Sequence, residues 1–328
     1  MASSTVPGLP SGRSLGVDLL RALCILYIVG YWHLIPYTSA LPGYANWFTE
    51  GLKFVAMATF VVCSGFLLAR QSVSLDPAGL WSFYRRRLLR IYPLYLLTLI
   101  LFGLTGLATL EQVIDGALLV SMFDPPAMPT LWFITMIMVF YLAAPLLIRF
   151  AERPAILVAI AAGLLLALAG EHLFVKPIDL RIFIYLPVFA LGISVHRRPG
   201  LQAWLEQRQW LLLVLAALML PLSRIGNEGS LSGALTLMPL VLVSGSALFL
   251  VAERLVGPLH APSIGFLAYA SFGLYLLHRL VFKAVIALHF PAQGWDQVGY
   301  LLLVALPLSI LAGYGLQRGY DRLLARWQ

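Results

Sequence analysis

Charge is scarce in this chain. Asp, Glu, Lys and Arg make up 11% of its 328 residues, against 61% that are hydrophobic. Soluble domains usually carry roughly 25% charged residues, so an aqueous globular fold of this length is excluded. Cysteine is scarcer still. Cys24 and Cys63 are the only two, and both lie in apolar runs. No CxxC or Cys/His spacing occurs, so neither a disulfide framework nor a metal site is expected. Long polar loops are missing too, and no appended soluble catalytic domain is expected. Acids are outnumbered by bases, 14 to 22, which gives a formal charge of +8. In a soluble protein that excess would raise the question of nucleic acid. Here cationic loops that set membrane topology account for it, and no nucleic-acid partner is expected.

What the chain does have is long apolar runs. A membrane-spanning helix needs about 20 mainly apolar residues. Ten segments meet that loosely: 15–36, 51–70, 88–108, 131–149, 154–174, 180–195, 209–224, 232–252, 264–288 and 297–317. The fold class expected is therefore all-α, a polytopic membrane helical bundle of about ten transmembrane helices. Residues 1–14 read as a short, flexible cytoplasmic N-terminus, 15–317 as the transmembrane domain, and 318–328 as a basic cytoplasmic tail. No cleavable signal is expected, because the first apolar run is long and lacks a small-residue cleavage site. Gly does not follow Met1, so the N-myristoylation pattern is absent. The segment "EQVIDGALLVSMFDPPAMPT" has too short an apolar core to span and reads as a short helix and loop on one side.

Charge placement orients the bundle. With the N-terminus inside, the cytoplasmic loops and tail collect Arg70, Arg85, Arg86, Arg87, Arg90, Arg149, Arg153, Arg197, Arg198, Arg208, Arg254, Arg318, Arg322 and Arg326. The opposite side keeps only Lys53, Lys176, Arg181 and Arg224. That asymmetry obeys the positive-inside rule, with both termini cytoplasmic. In a bacterial cell the expected location is the inner (cytoplasmic) membrane, multi-pass.

Polar side chains inside apolar spans are costly and mark sites or partners. The first span, "RALCILYIVGYWH" at its heart, carries Asp18, Arg21 and His33. Asp18 and Arg21 are spaced i,i+3 and can pair on one face; alternatively both anchor the cytoplasmic end by snorkelling. His33 lies about 18 Å further along, near the outer leaflet. It reads either as an interfacial histidine beside Tyr31, Trp32 and Tyr37 or as a general base lining a cavity. In "FYRRRLLRIYPLYLL" four arginines enter the third span. Guanidinium forks suit phosphate, so Arg86, Arg87 and Arg90 are candidate contacts for a phosphate-bearing donor such as coenzyme A. Trp132 opens "LWFITMIMVFYLAAP" as an interfacial aromatic. In "YASFGLYLLHRLVFK", Ser271, Tyr275 and His278 form one polar stripe that faces protein or water.

Taken together, these segments resemble the acyltransferase-3 family of polytopic membrane O-acyltransferases, over residues 15 to 317. "GVDLLRALCILYIVGYWHL" resembles the family's first-helix Arg…His motif. "FVVCSGFLLAR", with Ser64, resembles its "FFxxSGFL" helix, and "FYRRRLLRIYPLYLL" its "RRRxxRIxPxY" segment. "LWFITMIMVFYLAAPLL" and "SFGLYLLH" resemble its "LWFL" and "SxxxYLxH" stretches. The resemblance implies transfer of an acyl group, usually acetyl, from a cytosolic thioester to a hydroxyl at the membrane. His33 would then be the base and Arg21 its partner in the motif. Arg86, Arg87 and Arg90 would lie on the coenzyme A side, and Asp18, Ser64, Trp132, Ser271, Tyr275 and His278 would be further cavity residues. Acyl-CoA would be a co-substrate, with no bound cofactor and no metal. The acceptor would be a carbohydrate or natural-product hydroxyl.

Two departures stand out. The family usually leaves ten residues between the Arg and the His; here eleven intervene, Ala22 to Trp32. At about 100° per residue that moves the pair from about 20° apart to about 120° apart. Either the two do not share a face, or a π-bulge or kink near Gly30 restores it. The second departure is a glutamate that many members carry in the helix after "LW", which is absent here. Two other functions remain open on the sequence. A carrier of an acyl compound or lipid-linked sugar would show inverted repeats or paired broken helices, and none is evident. A scaffold role would leave the intramembrane His and Arg unexplained.

Overall fold

The structure is a computed structural model that describes residues 14–255 and 262–326. Of the expected N-terminal segment 1–14, residues 1–13 lie outside the described residues. All regular structure among the described residues is helical. The helices are α1 (Leu15–Tyr27), continued by a π-helical turn (Ile28–Trp32), α2 (Trp47–Ala69), α3 (Pro77–Leu104), α4 (Leu110–Ala117), α5 (Trp132–Arg149), α6 (Pro154–Gly170) and α7 (Arg181–Arg197). There follow α8 (Pro199–Gln207), α9 (Gln209–Met219), α10 (Leu231–Leu255), α11 (Pro262–Leu288), α12 (Gly294–Tyr300) and α13 (Leu306–Ala325).

Among the described residues, eight helical runs are long and apolar enough to cross a membrane. The pair α8–α9, bent by 70°, makes a ninth if it is one span. The α7 helix, at 17 residues, is the short sixth segment of the ten expected. At about 1.5 Å per residue it falls a little short of the roughly 30 Å hydrocarbon core. The ambiguous segment after α3 is the eight-residue α4 and a loop, as its short apolar core predicts. Residues 318–325 form the last turns of α13.

Local chemistry explains where the helices start. The Asn46 side chain accepts from the backbone of Phe48 and Thr49, and Thr49 Oγ1 accepts from Asn46 N at 3.0 Å, a reciprocal capping box. Asp76 caps α3, with Pro77 at its first position. Pro93 lies inside α3 and cannot donate to Leu89 O. The Tyr320 hydroxyl of α13 donates to that carbonyl instead, so the proline docks one helix on another.

Close crossings assemble the bundle. A Cβ on Gly65 would lie 2.3 Å from Phe189 O, and one on Gly192 2.3 Å from Val62 O, so α2 and α7 touch backbone to backbone. The Gly273–Gly313 crossing of α11 and α13 is equally tight. Small residues permit such approach where no hydrophobic effect drives helices together. α6 stands apart, apolar on all sides with Leu157 its one buried residue, as a lipid-facing span should be. The rest surround two abutting apolar cores, one centred on α2, α7 and α10, the other on α11 with parts of α1, α3 and α5.

Candidate active site

The π-helical turn decides the geometry of the first span. His33 N donates to Ile28 O at 2.9 Å, a step of five residues instead of four. A π turn absorbs one extra residue without turning the helix beyond it. The eleven-residue spacing is thereby reduced, in angle, to ten, and Arg21 and His33 come back to about 20° apart.

Two cavities meet along this helix. One, of about 100 Å³, is lined by His33, Trp32, Lys53, Trp132, Arg181, Tyr185 and Glu228. The other, of about 1320 Å³, opens at the end where α1 begins; its lining includes Arg21, Arg85, Arg86, Arg87, Arg90, Ser64, Tyr141 and Ser271. Ile28, Met57 and Tyr275 line both. They form the wall between the chambers, and two of them come from the π turn and the α11 stripe.

Arg21 reaches across the bundle. Its Nη2 donates to Ser271 Oγ at 2.9 Å, and Ser271 Oγ donates in turn to Ala268 O at 2.7 Å. The first and eleventh helices are thus tied by two of the singled-out polar residues. Arg87 lies over the Phe83 ring, 4.8 Å from its centroid. Arg86 Nη1 donates to Ser82 Oγ at 2.9 Å in a more exposed position. Ser64 Oγ is turned onto its own helix, donating to Phe60 O at 2.9 Å. Of the carboxylates among the described residues, only Asp321 lines this chamber, and its Oδ1 accepts from Gln317 Nε2 at 2.9 Å. Among the described residues, none of Arg85, Arg86, Arg87 and Arg90 has an ion-pair partner. Unneutralised guanidiniums crowded on one wall repel one another and favour a polyanion.

The smaller chamber is built around His33. Its ring stacks on His278, with centroids 5.0 Å apart and planes 3° apart. His278 is fully buried, with Nδ1 against Tyr275 O at 2.9 Å and Leu274 O at 3.2 Å. The Tyr275 hydroxyl donates to Thr130 O, which holds the dividing ring in place. Trp132 presents one face to the Arg181 guanidinium, 3.9 Å from the ring centroid.

Two expected cavity residues line neither chamber. Asp18 is buried one turn before Arg21, near enough to attract it but turned into the helix packing. His278 lies behind His33, because the i,i+3 step from Tyr275 carries it past the dividing wall. Residues that the sequence reading did not select are Tyr141, set among Arg21, Arg87 and Arg90, and the group Lys53, Arg181, Tyr185 and Glu228. Lys53 and Arg181 had one signal, as two of the few cations on their side. Glu228 had none. It brings a carboxylate close to Trp132 from another segment, whereas the helix after Trp132 carries no acid of its own.

A family model described as "Acyltransferase domain", acyltransferase-3, matches residues 14–314. A polytopic helical bundle with this site belongs to a class of membrane enzymes that transfer acyl groups. The chain is a member of the acyltransferase-3 family and a membrane acyltransferase acting on groups other than amino-acyl groups. No curated protein and no solved structure matches it.

Proposed function

We propose that the enzyme moves an acyl group, acetyl in the first instance, from a cytosolic acyl-CoA to a hydroxyl of a glycan or related acceptor. One observation carries this reading: an arginine-lined chamber at one face abuts a histidine-lined chamber toward the other, with Ile28, Met57 and Tyr275 lining both. Arg86, Arg87 and Arg90, with Arg21 deeper in, suit the phosphates of coenzyme A. The positive-inside bias puts that face in the cytosol, as expected for a multi-pass protein of a cytoplasmic membrane.

In this scheme the acceptor hydroxyl enters the His33 chamber and the thioester arm approaches from the arginine side. The hydroxyl oxygen attacks the thioester carbonyl as His33 takes its proton, so that the charge of a free alkoxide never develops fully. The new C–O bond forms, the C–S bond breaks, and the proton passes from the imidazolium to the departing thiolate. Arg21, anchored to Ser271, orients the arm below the wall. Ser64, Trp132, Ser271 and Tyr275 shape the two chambers.

The test is acyl transfer from radiolabelled acetyl-CoA in membranes containing the protein, with cell-surface glycans compared by mass spectrometry in cells with and without it. Label is expected in an ester of the acceptor, and His33→Ala is expected to slow its appearance by about 10²–10⁴. Full transfer by that variant would rule out the proposed base.

A further inference from the structure

The smaller chamber carries charge that the transfer scheme does not use. Lys53 Nζ lies 3.3 Å from Glu228 Oε1, and Arg181 Nε lies 3.8 Å from Glu228 Oε2. Arg181 also holds Asp179, its Nε donating to Oδ1 at 2.8 Å and its Nη2 to Oδ2. These four residues come from the start of α2, the start of α7, the turn before it, and the loop before α10. Their side chains are 8% to 28% exposed, so the ring is largely withdrawn from water. Partly buried charges cost desolvation free energy that mutual attraction only partly offsets. A plain clasp between helices would be served as well by apolar contacts. Here three of the four charges are on the wall of the chamber that holds His33.

The ring is balanced, two cations against two carboxylates. An anionic acceptor would have to displace Glu228 from Lys53 and Arg181, and a cationic one would have to displace those two from the carboxylates. An apolar alcohol would strip the remaining water from the three charges on the chamber wall and return nothing. Neutral hydroxyls avoid all three costs. They donate to Glu228, accept from Arg181 or Lys53, and lay their C–H faces against aromatic rings such as Trp132. At about 100 Å³ the chamber is small beside the roughly 300–1,000 Å³ of a pocket that encloses a whole ligand. Only the edge bearing the reacting hydroxyl fits inside.

We propose that Glu228, Arg181 and Lys53 are specificity-determining residues that select an acceptor carrying no charge around its reacting hydroxyl. This rests on the reading of His33 as the base on the acceptor side.

The experiment uses the full chain in detergent micelles, labelled acetyl-CoA, and four probe acceptors: methyl glucoside, methyl glucuronide, glucosamine and hexanol. Wild type is expected to prefer methyl glucoside. Glu228→Gln leaves the ring with a net positive charge. It should raise KM for methyl glucoside about tenfold and shift the preference toward methyl glucuronide. Lys53→Met reverses the sign and should shift it toward glucosamine. Glu228→Asp keeps the charge and should keep the wild-type order. Lys176→Met removes an exposed cation paired with Asp124 at 3.3 Å, outside the chamber, and should change nothing. If Glu228→Gln and Lys53→Met slow all acceptors equally, the ring is a clasp and the proposal is overturned. It is also overturned if wild type binds acetyl-CoA and acylates none of the four. Failure to bind or hydrolyse acetyl-CoA at all would instead strike at the transfer reading itself.

Discussion

The imidazoles of His33 and His278 lie parallel, 3° apart in plane and 5.0 Å between centroids, although 245 positions separate them in the chain. His278 is pinned by two backbone carbonyls of its own helix and so sets the plane in which His33 sits. His33→Ala should lower kcat by about 10²–10⁴, the usual worth of a general base. His278→Phe keeps a flat ring behind His33 and should cost far less than His278→Ala, which leaves a void. Single-turnover rates with labelled acetyl-CoA would separate the three. Equal losses for Phe and Ala would mean that stacking is not what matters.

Arg87 and Arg90 should act on donor affinity. Each charge-assisted hydrogen bond to phosphate contributes roughly 1.5–3 kcal/mol, so Arg87→Ala or Arg90→Ala should raise KM for acetyl-CoA at least tenfold. Arg86→Ala should cost less, because its guanidinium is already bonded to Ser82. Added salt should weaken donor binding in the wild type by screening. Steady-state kinetics across a salt series would check this, and a KM insensitive to all three substitutions would contradict it.

The π turn makes a paired prediction. Deleting Gly30 should convert Ile28–Trp32 into ordinary α-helix while leaving His33 on the same face. That variant should fold and retain transfer activity. Inserting one alanine after Gly30 should swing His33 by about 100° and abolish activity with the protein still in the membrane. The two variants differ from wild type by one residue each, in opposite directions. If both lost activity alike, the shared face of Arg21 and His33 would not be what the turn preserves.

Gly273→Val should destabilise the bundle without touching either chamber. A Cβ there would lie 2.2 Å from Gly313 O, so α11 and α13 must part. Overpacking of this kind costs typically about 1–3 kcal/mol, visible as a lower thermal midpoint in detergent. An unchanged midpoint would show that the crossing accommodates a side chain at this position.

Much of this was legible in the chain. Apolar run length predicts the helical bundle, because a bilayer leaves the backbone no other way to satisfy its hydrogen bonds here. The short apolar core of the segment after α3 predicts a non-spanning helix, and α4 is one. The single surplus residue between Arg21 and His33 left two outcomes, a pair off one face or a π turn or kink near Gly30, and the structure has a π turn that runs across Gly30. The polar stripe of α11 was legible too, though not its division of labour. Ser271 meets Arg21, Tyr275 stands between the chambers, and His278 backs His33. Spacing puts residues on a face; it does not say what that face meets.

By itself, then, the sequence determined what must be buried in the bilayer and which residues share a helix face. Hydrocarbon length and helical period are properties of a chain segment and need no partner. The tertiary structure decided which faces meet. Glu228 lies in a short polar loop with no motif around it, and only the packing of α2, α7 and α10 carries it to Lys53 and Arg181. The wall of Ile28, Met57 and Tyr275, and the unneutralised arginines beyond it, likewise exist only where separate helices converge. Electrostatics and cavity shape depend on distances through space, and a linear pattern does not contain those distances.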